Sequence, residues 1–274
     1  MNKHILAALD GSLVSDAAAD WAAARAEAFG ANLILVHVTP PGWSFQTIED
    51  HALATKRADD LLNSEMDRLA HSYPWLDVSS MVVSGEPAET LAGLTGTAGL
   101  LVAGTDRGPG TEGQGYGSVS FQIAVTSLCP VAIIPRHPVP QQHGVVVGVD
   151  GSRDSKSALE LAAGEARRFG EALLIVHAVG SLNPSGNADD VVGDAVTWVH
   201  AHFPDVSVSV RVDPVHHAAE ALAAASSEAR LLVLGRKGRG GMRVLLGSVG
   251  QHTLLNAQCP TILTIPAEAA ANGG

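Results

Sequence analysis

Short apolar runs alternate with longer amphipathic stretches along this chain. Residues 5–9 form the first run and are closed by Asp10-Gly11. A run so short, bounded by a turn pair, predicts a buried strand. A helix is expected through Glu27, with Ser12 or Ser15 as its cap and Gly30 as its stop. Residues 33–38 predict a second strand, and 48–71 a long helix that ends before Pro74. Residues 78–83 alternate apolar and polar positions more than the other runs, which places that strand near a sheet edge. A helix over 87–95, a strand over 100–103, a helix over 118–127 and a strand over 131–134 complete the pattern. Strands separated by helices imply a mostly parallel sheet with helices on both faces. Right-handed crossovers make it doubly wound. Such sheets bind ligands at the carboxyl ends of their strands, where the strand order reverses. The loops after the first and fourth strands are therefore the places where chemistry is expected.

The whole pattern occurs twice. Ile5 to Ser12, ending in Asp10-Gly11-Ser12, returns 140 residues later as Val145 to Ser152, ending in Asp150-Gly151-Ser152. Phe29-Gly30 returns as Phe169-Gly170, and Leu35-Val36-His37 as Ile175-Val176-His177, at the same offset. Gly117-Ser118-Val119 returns as Gly247-Ser248-Val249, and Cys129-Pro130 as Cys259-Pro260, after 130 residues. Matches in one order over so much of the chain read as duplication of a whole domain. The expected domains are 1–137 and 143–267, with a connector bearing Pro138 and Pro140 between them and a disordered tail over 268–274.

Composition narrows the function. Hydrophobic residues are 46% of the 274, but aromatics only 4%, so Ala, Val and Leu must fill two cores. Side chains that small suit helices laid closely on a sheet. The net charge of -11 argues against nucleic acid and against an anionic membrane surface as partners. An acidic chain can still hold a phosphate where backbone N–H groups supply the donors. Cys129 and Cys259 each precede a proline in an apolar run, one per repeat, and read as buried reduced thiols. The apolar run before Asp10 is too short for a secretory signal, and no run approaches the ~20 apolar residues of a membrane span, so a cytoplasmic address is expected.

In repeat two, the loop after the fourth strand runs from Gly235 to Val249 and carries Arg236, Lys237, Arg239 and Arg243 among five glycines up to Gly247. Glycine lets a backbone approach phosphate closely. Gly247-Ser248 then opens a helix, whose free N–H groups favour an anion. The bland alternative is a flexible linker with solvated cations. Repeat one has the same loop in altered form, from Gly104 to Ser118, with Arg107 against Asp106 and Glu112. Its Gly108-x-Gly110-x-x-Gly113 stretch follows the fourth strand, not the first, and is not a dinucleotide fingerprint. Asp10 and Asp150 end the first strand of each repeat. Each is either a contact for a ribose or adenine amine, or a structural carboxylate capping the next helix.

These motifs resemble the universal stress protein family: a first strand ending in Asp-Gly-Ser, a second ending in His-Val, and a fourth running into Gly-x-x-Gly, nine residues, then Gly-Ser. The resemblance covers nearly the whole chain, twice. It implies a five-stranded parallel sheet with helices on both faces in each of two tandem domains. Many members of that family bind ATP, and others do not. The resemblance carries Asp10 and Asp150 over as base and ribose contacts, Val38 and Ala178 as the positions whose backbone faces adenine, and Ala103 and Leu234 as walls of the adenine pocket. For the phosphates it implies Gly104, Arg107, Gly117, Ser118 and Val119 in repeat one. In repeat two it implies Gly235, Gly238, Gly247, Ser248 and Val249. Both repeats depart from the pattern. Repeat two has eight residues between Gly238 and Gly247. Repeat one keeps nine, but Arg107 stands where the second glycine is expected, either crowding the phosphates or reaching over to grip them. The implied ligand is ATP or a related adenine nucleotide, with or without Mg. A homodimer is implied too, with a pseudo-twofold pairing of repeats through the strands over 131–134 and 261–265.

Other chemistry is weakly represented. Neither a P-loop motif nor a Gly-x-Ser-x-Gly elbow occurs. His216-His217 and His200 with His202 are poorly placed for one metal if both pairs lie on helices, and they read as solvated. His37 and His177 read as hydrogen-bonded strand residues. No catalytic residue and no metal ligand is assigned. A nucleotide-binding regulatory protein is therefore the leading expectation. The alternatives are a slow ATP hydrolase using Asp10 or Asp150, and an interaction module of the same fold without nucleotide.

Overall fold

Serine and glycine set the two ends of the helix that follows the first strand of each repeat. A computed structural model describes residues 4–106, 119–135, 143–179, 188–236 and 246–265. Two compact units divide the chain. The first runs β1 (Ile5–Ala8), α1 (Leu13–Phe29), β2 (Leu33–Thr39), α2 (Ile48–Ser72), β3 (Val78–Ser84), α3 (Pro87–Leu94), β4 (Leu100–Thr105), α4 (Val119–Thr126) and β5 (Val131–Pro135). The second runs β6 (Val145–Gly148), α5 (Arg153–Phe169), β7 (Leu173–Ala178), α6 (Ala188–His202), β8 (Val208–Asp213), α7 (Ala218–Ser226), β9 (Leu231–Leu234), α8 (Ser248–Asn256) and β10 (Thr261–Leu263). A 3₁₀ turn over Gly42–Ser44, between β2 and α2, was not expected from the sequence. The connector, the tail over 268–274, and the whole of 107–118 and 237–245 lie outside the described residues.

Ser12 caps α1 by accepting the Ser15 N–H at 3.3 Å, and Gly30 closes it in the left-handed region at φ 59°. Ser152 and Gly170, at φ 63°, do the same for α5. The strand order in unit one is β3-β2-β1-β4-β5, and in unit two β8-β7-β6-β9-β10. Each pair within these sheets is parallel. The order reverses between β1 and β4, and between β6 and β9, which is where a doubly wound sheet opens a crevice.

The core lies where α1 and α5 meet their sheets. Ala18, Ala19, Ala22, Ala23 and Ala26 of α1 are fully buried, as are Ala158, Ala162, Ala163 and Ala166 of α5. Alanine carries no side-chain entropy cost and lets two backbones come close. Neither Cys129 nor Cys259 forms a disulfide, and both are buried, each just before the last strand of its unit. Burial pushes the Cys259 thiol up to about 12, so it is a packing group and a poor nucleophile.

The histidine pairs are not both on helices. His216 and His217 lie between β8 and α7, and His217 is the N-cap residue of α7. His216 Nδ1 sits 2.9 Å from Asp213 Oδ2, so it is paired and not simply solvated. His202 stacks on Trp198 at 4.4 Å between ring centroids. No group of three His, Cys, Asp or Glu side chains able to hold a metal occurs among the described residues.

Asp213 gives a pH prediction. Its Oδ1 accepts the backbone N–H groups of His216 at 2.8 Å and Val215 at 2.9 Å. Those bonds, with the His216 ring, hold its carboxyl at about 2, below the ordinary 3.8. A depressed carboxyl stabilises the fold above its unfolded-state value and loses that contribution as pH falls through the folded one. The turn over 213–217 is expected to stay ordered at pH 4 and to loosen as pH approaches 2, with loosening at all pH values in Asp213→Asn. Amide exchange across that turn checks it, and indistinguishable profiles for the two proteins would refute it.

Candidate functional site

The loop after β1 is folded by its own carboxylate. Asp10 Oδ1 accepts the Ser12 N–H at 3.0 Å and the Ser12 hydroxyl at 2.6 Å, across Gly11 at φ 81°. Asp150 Oδ1 accepts the Ser152 N–H at 2.9 Å, across Gly151 at φ 77°. These are Asx turns, in which a short acidic side chain bonds backbone two residues on. The helix caps are Ser12 and Ser152, so the structural role left open for Asp10 and Asp150 is that of turn former, not cap. At Asp10 burial opposes ionisation most strongly. Hydrogen bonds from the Ser12 hydroxyl, the Ser12 N–H and the Ser15 hydroxyl together outweigh it and hold the carboxyl below its ordinary range. Asp10 is thus a carboxylate at neutral pH and a weak base.

Histidine ties the end of the second strand to this loop. His37 Nδ1 lies 2.8 Å from the Leu9 carbonyl, and His177 Nδ1 lies 2.7 Å from the Val149 carbonyl. A carbonyl only accepts, so Nδ1 carries the proton in both. Both histidines are half-buried, and each bonds the residue just before the site aspartate. Their recurrence at a 140-residue offset was the signal in the sequence, but the carbonyl they hold was not legible there.

Gly104 and Gly235 owe their identity to packing. A Cβ on Gly104 would lie 2.5 Å from Val14 Cγ1 and 2.6 Å from the Val14 carbonyl oxygen. On Gly235 it would lie 2.8 Å from the Asp154 carbonyl carbon and 2.9 Å from its oxygen. The first turns of α1 and α5 therefore rest directly on the ends of β4 and β9. This brings Asp10 with Gly104, and Asp150 with Gly235, to the reversal point of each sheet. Gly104 continues β4 and pairs with Ile134, so the strand is longer than the 100–103 expected.

In repeat two the two ends of the glycine-rich loop meet. The Gly247 N–H donates to the Arg236 carbonyl at 3.2 Å, next to Gly235. Gly247 is the N-cap residue of α8, and Ser248 and Val249 lie in its first turn. Arg236 is only 4% exposed, so it is not one of a set of solvated cations. Val38 lies one residue before the end of β2, and Ala178 ends β7; both are half-buried. Ala103 and Leu234 are buried, in β4 and at the end of β9. Val119 begins α4 and is partly exposed. Arg107, Gly117, Ser118 and Gly238 lie outside the described residues, as do Lys237, Arg239 and Arg243. No described helix is long and apolar enough to cross a membrane.

Comparison with known proteins agrees with this architecture. The model of the universal stress protein family matches residues 1–135 and again 143–264. Universal stress protein Rv2005c of Mycobacterium tuberculosis is 32% identical, over 94% of this chain and 96% of that one. Universal stress protein Rv2623 of the same organism is 31% identical, over 94% and 95%. The crystal structure of a universal stress protein from Archaeoglobus fulgidus superimposes with a TM-score of 0.77, at 18% identity, over 96% of each chain. That likeness is one of fold. With two matches of the family model spanning both repeats and relatives aligned nearly end to end, this chain belongs to the universal stress protein family.

Proposed function

We propose that both repeats bind an adenine nucleotide, ATP with or without Mg, and that occupancy sets the state of a regulatory protein acting in the cytoplasm under stress. The observation that carries this reading is the Gly247 N–H bond to the Arg236 carbonyl. It puts the amino end of α8, where the first N–H groups of a helix have no carbonyl partner within the helix, beside the reversal point of the second sheet. That donor set suits a phosphate without net positive charge on the protein. On this reading Asp150 meets ribose or base, the Ala178 backbone reads adenine, Leu234 walls the pocket, and Gly235, Gly238, Gly247, Ser248 and Val249 line the phosphates. Asp10, Val38, Ala103, Gly104, Arg107, Gly117, Ser118 and Val119 do the same in repeat one.

A hydrolase is the weaker reading. Asp10 is held below its ordinary carboxylate range, and a base so weak takes a proton from water poorly. The interaction module draws on a different observation, Arg107 in the glycine position and the eight-residue spacing in repeat two.

Nucleotide released from denatured, freshly purified protein tests the proposal. ATP is expected in the wild-type eluate, with less in Gly117→Ala and in Gly247→Ala, each variant losing its own repeat's share. Association of two chains belongs to the same reading, so sedimentation of that preparation should give twice 28.1 kDa. A wild type that releases nothing and gains no thermal stability from Mg-ATP would leave the interaction module standing.

A further inference from the structure

The backbone of β2 alternates between its two neighbours. The Leu33 N–H donates to the Asp77 carbonyl and the Gly85 N–H to the Thr39 carbonyl, both at 2.9 Å, so odd-numbered residues bond toward β3. The Ile5 N–H donates to Asn32 at 2.9 Å and the Leu9 N–H to Val36 at 2.8 Å, so even-numbered residues bond toward β1. Val38 is the next even-numbered residue. In an unbroken parallel ladder its N–H would donate to the Leu9 carbonyl, one rung past the last β1–β2 pair, Ala8 with Val36. Among the backbone bonds of the described residues, that rung is not made. The carbonyl takes the His37 imidazole instead, at 2.8 Å. Beyond it the chain turns away through Asp10 and Gly11. The Val38 N–H and carbonyl are therefore directed past the end of β1, one donor and one acceptor side by side.

Repeat two repeats the arrangement. The Leu173 N–H donates to Ser207 at 2.8 Å and the Val179 N–H to Asp213 at 2.9 Å, on the β8 side. The Val149 N–H donates to Val176 at 3.0 Å, on the β6 side. His177 holds the Val149 carbonyl at 2.7 Å, and Ala178 is left in the place of Val38.

We propose that His37 and His177 are positioning residues that stop these two ladders one rung short, keeping the N–H and carbonyl of Val38 and Ala178 for an adenine base. The inference rests on the nucleotide reading above, in which those two backbones meet the base. Adenine's N1 accepts and its N6 amine donates, which matches one backbone donor and acceptor on a single residue. A buried carbonyl does not stay unbonded, so without the imidazole the Val38 N–H becomes its natural partner. The ligand would then compete with the sheet for the same group.

Two double variants of the full chain separate this from a plain structural tie. His37→Leu with His177→Leu removes the donor. His37→Asn with His177→Asn keeps an amide N–H within reach of the same carbonyls. In the leucine pair without nucleotide, the Val38 and Ala178 amides are expected to exchange about tenfold more slowly than in wild type, since one net hydrogen bond is worth about that factor. ATP affinity is expected to fall about tenfold for the same reason, while tripolyphosphate, which has no base, binds as before. The asparagine pair should restore both within about threefold, the usual scatter of such contributions. Unchanged amide exchange in the leucine pair would overturn the proposal. So would equal losses of ATP and tripolyphosphate in the leucine and asparagine pairs. Should the wild type bind no adenine nucleotide, the nucleotide reading falls, while slowed exchange in the leucine pair would still establish the withheld rung.

Discussion

Alanine at Gly104 is expected to lower the stability of unit one by about 3 kcal/mol, the upper range for overpacking a filled interior. The new Cβ would meet Val14 Cγ1 at 2.5 Å, and that methyl can rotate away. The Val14 carbonyl oxygen at 2.6 Å and carbon at 2.8 Å cannot, because they are the backbone of the first turn of α1. Relief requires α1 to lift from β4, against five fully buried alanines that hold it down. Gly235→Ala faces the Asp154 backbone at 2.8 and 2.9 Å and is expected to cost unit two about 2 kcal/mol. Gly164 is the control: it lies within α5 with nothing within 4 Å of a new Cβ, so alanine there should stabilise by about 0.5–1 kcal/mol. Thermal melting should show losses of several degrees for the first two and a small gain for the third. A melting temperature for Gly104→Ala within a degree of wild type would refute the packing account.

Leu232→Ala is expected to cost about 3–4 kcal/mol, within the range for leucine truncation in a rigid core. Leu232 lies on β9, between β6 and β10, and is 0% exposed. Its backbone is fixed on both sides, paired with Val146 on β6 and with Thr261 on β10. A strand held by two neighbours cannot shift to fill the space, so most of the cavity persists. Leu232→Met keeps the volume and should cost less than about 1.5 kcal/mol. Denaturant unfolding of the two variants checks the difference. Equal midpoints would mean that the site collapses, contrary to its pairing.

Much of this fold is legible in the sequence, for local reasons. Ser12 with Gly30 and Ser152 with Gly170 mark helix ends by chemistry that acts within a few residues, and these ends fall where the sequence puts them. Short apolar runs bounded by turn pairs became buried strands. The edge position of β3 followed from its alternation. What was not legible depends on distances across the fold. Gly104 reads as loop glycine because the residues after it are glycine-rich, yet it is a strand residue forced to be glycine by Val14, ninety positions earlier in the chain. Arg236 reads as one of four cations, and only burial distinguishes it. His216 reads as solvated until Asp213, at the end of β8, is seen to face it. At the candidate site, the positions of Asp10 and Asp150 were readable, but the turns they form and the carbonyls held by His37 and His177 were not.

The contact between the first turn of α1 and the end of β4 bears on how function is inferred across related chains. Gly104 and Gly235 open the stretch that resembles a nucleotide-binding signature, yet helix packing alone would preserve them. A descendant that had lost every contact to a nucleotide would still be selected to keep a glycine there, or it would fail to fold. That glycine therefore diagnoses ancestry and architecture. Evidence for a retained ligand has to come from positions whose identity helix packing does not dictate.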